Sequence, residues 1–167
     1  MRTQLARTFV LAIVLAGAGT PLLAQTPGDP ARGSTIYHGK GACATCHQLN
    51  GVGSRLGPDL SEIGNSRRPD HLERSLVEPD AEVLGNNRFY HVVTKDGATI
   101  TGRLLNLDTF TIQLLDSKER LRTFVKGDLR DHGFDKSPMP SYKDKLTAQE
   151  LADLVSYLAS LKGQATP

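Results

Sequence analysis

The hydrophobic positions of this chain change period twice along its length. Near the C-terminus, Leu151, Leu154, Val155, Leu158 and Leu161 fall on one face of a helix. Thr147-Ala148-Gln149-Glu150 ahead of them reads as a capping box, and Gly163 is the expected terminator. Two further helices are marked by their openings. Asp29 before Pro30 forms an N-cap and N1 pair, for a helix ending near Gly39 or Gly41. Pro69 opens a helix through Leu72 and Leu76 that must close before Pro79. Between Gly85 and Gly133 the period falls to two. Residues 90–94, 99–105, 110–115 and 121–125 are β-type runs, separated by turns at 95–97, 106–108 and 117–119. In the third run Phe110, Ile112 and Leu114 alternate with Thr111 and Gln113, as in a half-buried strand. The pattern predicts a mainly α protein, helical over 25–84 and 134–167. A small antiparallel sheet or barrel of four or five strands, similar in pattern to SH3-like and Sm-like barrels, is inserted over 85–133.

The first residues follow neither period. Arg2 and Arg7 precede an uncharged, mostly apolar run over 9–18, Pro21 breaks it, and small Ala24 precedes Gln25. This is the order of a secretory signal peptide, cleaved after Ala24 or, alternatively, at Ala16-Gly17-Ala18. Retention as an anchor is the other reading, although the run is short against the roughly 20 residues of a membrane span. Export to the periplasm or beyond is expected, with no transmembrane segment left after cleavage. Removing residues 1–24 takes two arginines from the 20 Lys and Arg, leaving 18 against 18 Asp and Glu. A balanced chain gives no global electrostatic reason to bind nucleic acid. Within the insertion, Arg103, Arg120, Arg122 and Lys126 are diluted by Asp96, Asp108, Asp116 and Glu119, so no basic face forms there either.

Chemistry concentrates in one pentapeptide. The two cysteines are Cys43 and Cys46, spaced as a disulfide or a thiol redox pair could be, but His47 follows at once. Cys-x-x-Cys-His is the attachment pattern of c-type haem. Two thiols on one turn can each add to a vinyl group of one porphyrin, and the next residue is then held where its imidazole meets iron. A plain disulfide or a thioredoxin-type pair has no use for that histidine. One covalent haem c is therefore expected, with His47 as an iron ligand. After signal removal Met139 is the sole methionine, set in Ser137-Pro138-Met139-Pro140, a stiff loop suited to presenting sulfur as the second ligand. A core-filling role is its ordinary alternative. Among the other histidines, His38 is too near Cys43 to reach the far face, and His71 and His91 read as structural or surface groups. His132, seven residues before Met139, is the one rival ligand.

Residues 33–47, Gly57-Pro58-Asp59-Leu60, Met139-Pro140 and the final amphipathic helix together resemble class I cytochrome c. More narrowly, they resemble haem-binding domains of oxidoreductase-associated proteins in environmental bacteria. The resemblance implies a helical fold around one haem. It implies that the Pro58 carbonyl fixes the His47 ring, that Leu60 packs on the porphyrin, and that Gly33 and Tyr37 mark the crossing of the first and last helices. Arg55 and Tyr142 are candidate partners for the haem propionates, as are Arg67 and Arg68, while Ala42 and Ala44 leave a low rim by the attachment turn. The expected activity is single-electron carriage between redox proteins rather than catalysis. A periplasmic dehydrogenase and a terminal oxidase are the kinds of donor and acceptor in view. The rivals are a ligand-sensing or peroxidatic haem protein with a displaceable methionine, and an electron-transfer subunit docked to a dehydrogenase through the insertion.

Overall fold

The computed structural model describes residues 27–163, and the expected signal segment lies outside the described residues. The Asp29 side chain accepts from the N–H groups of Ala31 and Arg32, and Pro30 takes the first position of α1, Pro30–His38. These bonds satisfy backbone donors that the first turn leaves orphaned. The last helix, α4, spans Ala148–Ser160 and carries the full capping box of Thr147 and Glu150. Gly163 does not terminate it: Leu161 caps the helix, and Gly163 instead uses a φ of +75° to donate its N–H to the Ser61 carbonyl at 3.0 Å.

α1 and α4 cross at Gly33, where a Cβ would overlap the Asp153 carbonyl and crowd Tyr157. The absence of a side chain lets the two backbones touch. Beside the crossing Tyr37 is fully buried, and its ring meets that of Tyr157 edge-on at 5.6 Å. Asp153 seals the other side. Its carboxylate accepts from the Asp29 N–H at 2.7 Å and from Arg32 Nε and Nη2 at 2.7 and 2.9 Å. The Arg32 guanidinium holds this carboxyl well below the usual range, against an opposing push from desolvation. Two shorter helices, α2 at Ile63–Ser66 and α3 at Pro69–Val77, complete the layer. Ile36, Tyr37, Leu60, Leu72, Leu76, Leu154 and Leu158 form its core.

A second core lies in the insertion, which makes the described fold mixed α and β rather than mainly α. Besides a two-residue hairpin, β1 (Gln48–Leu49) and β2 (Val52–Gly53), five strands form one antiparallel sheet. They are β3 (Phe89–Thr94), β4 (Thr99–Leu107), β5 (Thr111–Asp116), β6 (Leu121–Val125) and β7 (Leu129–Asp135), in the order β6-β5-β4-β3-β7. The last strand thus returns beside the first, and it runs to Asp135, past the expected boundary at 133. Tyr90, Val92, Leu104, Ile112 and Leu114 are buried together on one face. Phe110 is not among them: it is 73% exposed, in the turn before β5. The cause is Asp108, whose carboxylate accepts from the N–H groups of Phe110 and Thr111 and so fixes the turn later than expected. A bulge between Leu104 and Asn106 lets β4 continue to Leu107.

Two predictions follow from the helix crossing. Gly33→Ala should destabilise the protein by about 1–3 kcal/mol or more, because backbone atoms must move to admit the methyl group; urea unfolding measures this, and an unchanged midpoint would contradict the packing. The Asp153 carboxyl, depressed in the folded state, contributes stability that is full above the unfolded pKa of about 3.9 and is lost as pH falls toward the folded value. The stability advantage over Asp153→Asn should therefore narrow on going from pH 6 to pH 2. An advantage that stays constant over that range would contradict the assignment.

Candidate haem-attachment site

α1 delivers the chain to the site through a tight stop. Gly39 donates to the Thr35 carbonyl at 2.9 Å and Gly41 to Ile36 at 2.8 Å. Ala42 then takes a left-handed φ of 48°, turning the chain into a 3-10 turn at Cys43–Thr45. The N–H groups of Cys46 and His47 both donate to the Cys43 carbonyl, at 3.1 and 2.9 Å. One turn therefore carries both thiols and the imidazole. Both thiols are free, Cys43 buried and Cys46 partly exposed. Burial pushes the Cys43 thiol up, which leaves it a neutral thiol at neutral pH.

His47 is 9% exposed and fixed from two sides. Its Nδ1 lies 2.9 Å from the Pro58 carbonyl oxygen. A carbonyl can only accept, so Nδ1 carries the proton and donates it. Nε2 is then the bare lone pair, with no protein partner among the described residues. Burial lowers the His47 pKa, and the Pro58 bond opposes that only in part, so the ring is held neutral, the form that binds metal. Gly57 supplies the second wall. A Cβ there would stand 2.8 Å from His47 Nδ1 and Cε1, so only glycine lets the loop lie flat on the ring. The β1–β2 hairpin brings this loop back: Asn50 and Gly51 both have positive φ, at 49° and 80°. Leu60, 9% exposed, sits in the helical core and donates its N–H to Gln48 at 2.9 Å.

Met139 arrives from the far end of the chain into the same core cluster, partly buried, together with Cys43, Leu60, Leu72 and Tyr142. Its loop is pinned at several points. Asp80 accepts from the Ser137 N–H at 2.6 Å, and Ser137 Oγ accepts from the Met139 N–H at 3.2 Å. Ser141 Oγ donates to the Val77 carbonyl at 2.7 Å, and the Tyr142 N–H to Leu76 at 2.8 Å. The residues of this site fit a covalent haem: two free thiols and a neutral imidazole on one turn, and a thioether in the same core.

The remaining candidates are engaged with partners of their own. The Tyr142 hydroxyl donates to the Gly41 carbonyl at 2.5 Å, so its one proton ties the Met139 loop to the attachment turn rather than awaiting a carboxylate. Burial pushes its pKa up to about 12. Arg55 meets a carboxylate, but that of Glu119 in the sheet, at 3.2 Å. Arg67 pairs with Glu82 at 3.3 Å and Arg68 with Asp70 at 3.2 Å. His132 lies on β7 with Nδ1 2.7 Å from the Tyr90 hydroxyl, and His91 contacts Asp135 at 2.8 Å. His38 and His71 are exposed at the helix surfaces. Sequence reasoning passed over Asp80 and Ser137, whose roles depend on a contact across the whole insertion. It also passed over Asn50-Gly51, although that dipeptide is a strong hairpin signal.

No curated protein matches this chain. The family model for cytochrome c matches residues 30–99, from the start of α1 through the attachment turn and α3 to the first residue of β4. Met139 and α4 lie outside that match. With the attachment turn inside the matched segment, residues 30–99 are similar to cytochrome c, and that match supports a c-type cytochrome.

Proposed function

We propose that this protein is an exported carrier of single electrons, with one haem c held by Cys43 and Cys46 and its iron bound by His47 and Met139. The match of residues 30–99 to the cytochrome c family model supports covalent haem and haem-based electron transfer in general. The finer reading rests on one observation: His47 Nδ1 is committed to the Pro58 carbonyl at 2.9 Å, so Nε2 is the nitrogen left for a metal. A single Cys-x-x-Cys-His motif in the sequence supports one haem.

When bound, the haem supplies an iron that accepts and gives up one electron at a time. The protein's part is to hold it still. The Pro58 bond and the Gly57 wall keep the His47 ring at one angle, and the ties from Asp80, Val77 and Leu76 keep the Met139 loop in place. With His47 and Met139 both holding the iron, small ligands would be kept off it and the protein would have little to rearrange as its charge changed. The haem would take one electron from a reduced partner and pass it to an oxidised one, a dehydrogenase and a terminal oxidase being the expected kinds.

Export is supported by the residue order of positions 1–24, and no helix among the described residues is long and apolar enough to cross a membrane. The five-stranded sheet, with its last strand beside its first and a 3-10 turn at Lys126–Asp128 before it, supports the SH3-like reading of the insertion.

Met139→Ala tests the carrier reading. The wild-type ferric protein should show the weak red band of iron–sulfur ligation, and the variant should lose it, turn high-spin and bind added imidazole readily. A wild-type protein already high-spin and lacking that band would contradict the carrier and favour the sensing or peroxidatic alternative.

A further inference from the structure

The inserted sheet meets the helical part of the molecule at a turn that bears on His47. At the end of β5 the buried Asp116 carboxylate accepts from the N–H groups of Lys118 and Arg120, at 2.9 and 3.0 Å, and pairs with the Arg120 guanidinium at 2.8 Å. The Glu119 N–H donates to the Asp116 carbonyl at 2.8 Å. This bracing holds Glu119 at a left-handed φ of 56°, a conformation that a residue with a side chain keeps only where its surroundings impose it. From there the Glu119 carboxylate accepts twice from Arg55, 64 positions earlier: from its backbone N–H and from its Nε, each at 3.2 Å. Among the described residues no other hydrogen bond joins the five-stranded sheet or its turns to the helical part.

Arg55 belongs to the loop that fixes the iron-binding ring. Every N–H from Ser54 to Gly57 has an acceptor, and where each one goes shows what holds the loop. Ser54 donates to the Ala44 carbonyl at 3.2 Å and Gly57 to the Cys46 carbonyl at 2.5 Å, both in the attachment turn. Leu56 donates to Ser54 Oγ at 3.2 Å, inside the loop itself. Arg55 alone of the four reaches out of this neighbourhood, to Glu119. Two residues on, Gly57 lies against the His47 ring, and the Pro58 carbonyl accepts from its Nδ1. The loop is thus gripped from inside by the turn it serves, and from outside by the sheet.

We infer that Glu119 is a positioning residue for His47: the inserted sheet holds, through Arg55, the loop that fixes the angle and the proton of the iron-binding imidazole. The inference rests on the haem reading above. Global stability is not what the pair supplies. The Arg55 and Glu119 side chains are 57% and 32% exposed, and so open a pair adds little to it. Its effect is to restrict where Arg55 can be, and so how far the loop can lift from the ring. When the loop lifts, the Pro58 carbonyl withdraws and the Nδ1 bond weakens. A weaker bond leaves the imidazole a poorer donor to iron, because the partner of its far nitrogen raises the basicity of a ligating histidine. A poorer donor favours the ferrous state, so loss of the brace raises the reduction potential. The insertion thus tunes the iron through a residue of the haem domain.

The test uses the haem-loaded mature protein. Covalent haem is first established on the wild type by the spectrum of the denatured protein in alkaline pyridine; its absence would defeat the haem reading itself, separately from the role of Glu119. In the reduced, diamagnetic wild type, nuclear Overhauser contacts are expected between the Arg55 amide proton and the Glu119 side chain. Their absence overturns the inference, and that result needs no variant to fold. Glu119→Ala should speed solvent exchange of the His47 Nδ1 proton about fivefold or more, while the amides of α4 exchange as in the wild type. It should also raise the reduction potential. Glu119→Gln loses the same charge but keeps an oxygen for the Arg55 N–H, so both its readings should fall between those of the wild type and Glu119→Ala. Unchanged Nδ1 exchange in Glu119→Ala overturns the inference. So does an acceleration shared by the α4 amides, which would mean general loosening. Equal potentials and exchange rates in the two variants would leave charge as the whole effect and overturn it as well.

Discussion

The hydrogen bond from His47 Nδ1 to the Pro58 carbonyl organises this molecule around its chemistry. An imidazole has two nitrogens, and only a partner that cannot donate decides which one keeps the proton. Placing that partner requires the loop from Gln48 to Leu60 to turn back on the attachment turn. The Asn50-Gly51 hairpin begins the return, the Gly57 N–H donates to the Cys46 carbonyl, and the Leu60 N–H donates to Gln48. Gly57 is then pressed against the ring it helps to fix. The attachment turn in turn depends on α1, and α1 is held in place by the close crossing with α4 at Gly33.

The same logic extends to the opposite end of the chain. Met139 is carried into the helical core across an insertion of five strands, and its loop must find its place after that detour. Asp80, where the chain leaves α3 for the sheet, bonds Ser137, where it returns. This clasp closes the insertion at its base. The Tyr142 hydroxyl completes the circuit by donating to Gly41, directly before the attachment turn. Both sides of the site are thereby referred to one stretch of backbone.

Much of this was legible in the residues. The caps of α1 and α4 depend on contacts within four residues, and Asp29, Thr147 and Glu150 declare them locally. Cys43, Cys46 and His47 declare their shared turn in the same way. The β character of the insertion showed in its period of two. Its details did not: the Asp108 turn moved Phe110 out of the expected strand, a bulge lengthened β4, and β7 pairs with a strand some 40 residues earlier. The functions of Tyr142, Arg55 and Asp80 were hidden for the same reason, since their partners Gly41, Glu119 and Ser137 are remote in sequence. Helical α and extended β parts of similar weight also make the fold mixed, which a reading anchored on the haem motif understated.

The account's central claim is that both axial positions of the iron are filled from within this chain, by His47 and Met139. The most direct measurement is the proton NMR spectrum of the reduced haem-loaded protein. A methionine methyl group lying on the porphyrin face is shifted far upfield by the ring current. The account predicts one three-proton resonance far upfield in a diamagnetic spectrum, belonging to Met139. A paramagnetic ferrous spectrum without that resonance would contradict it.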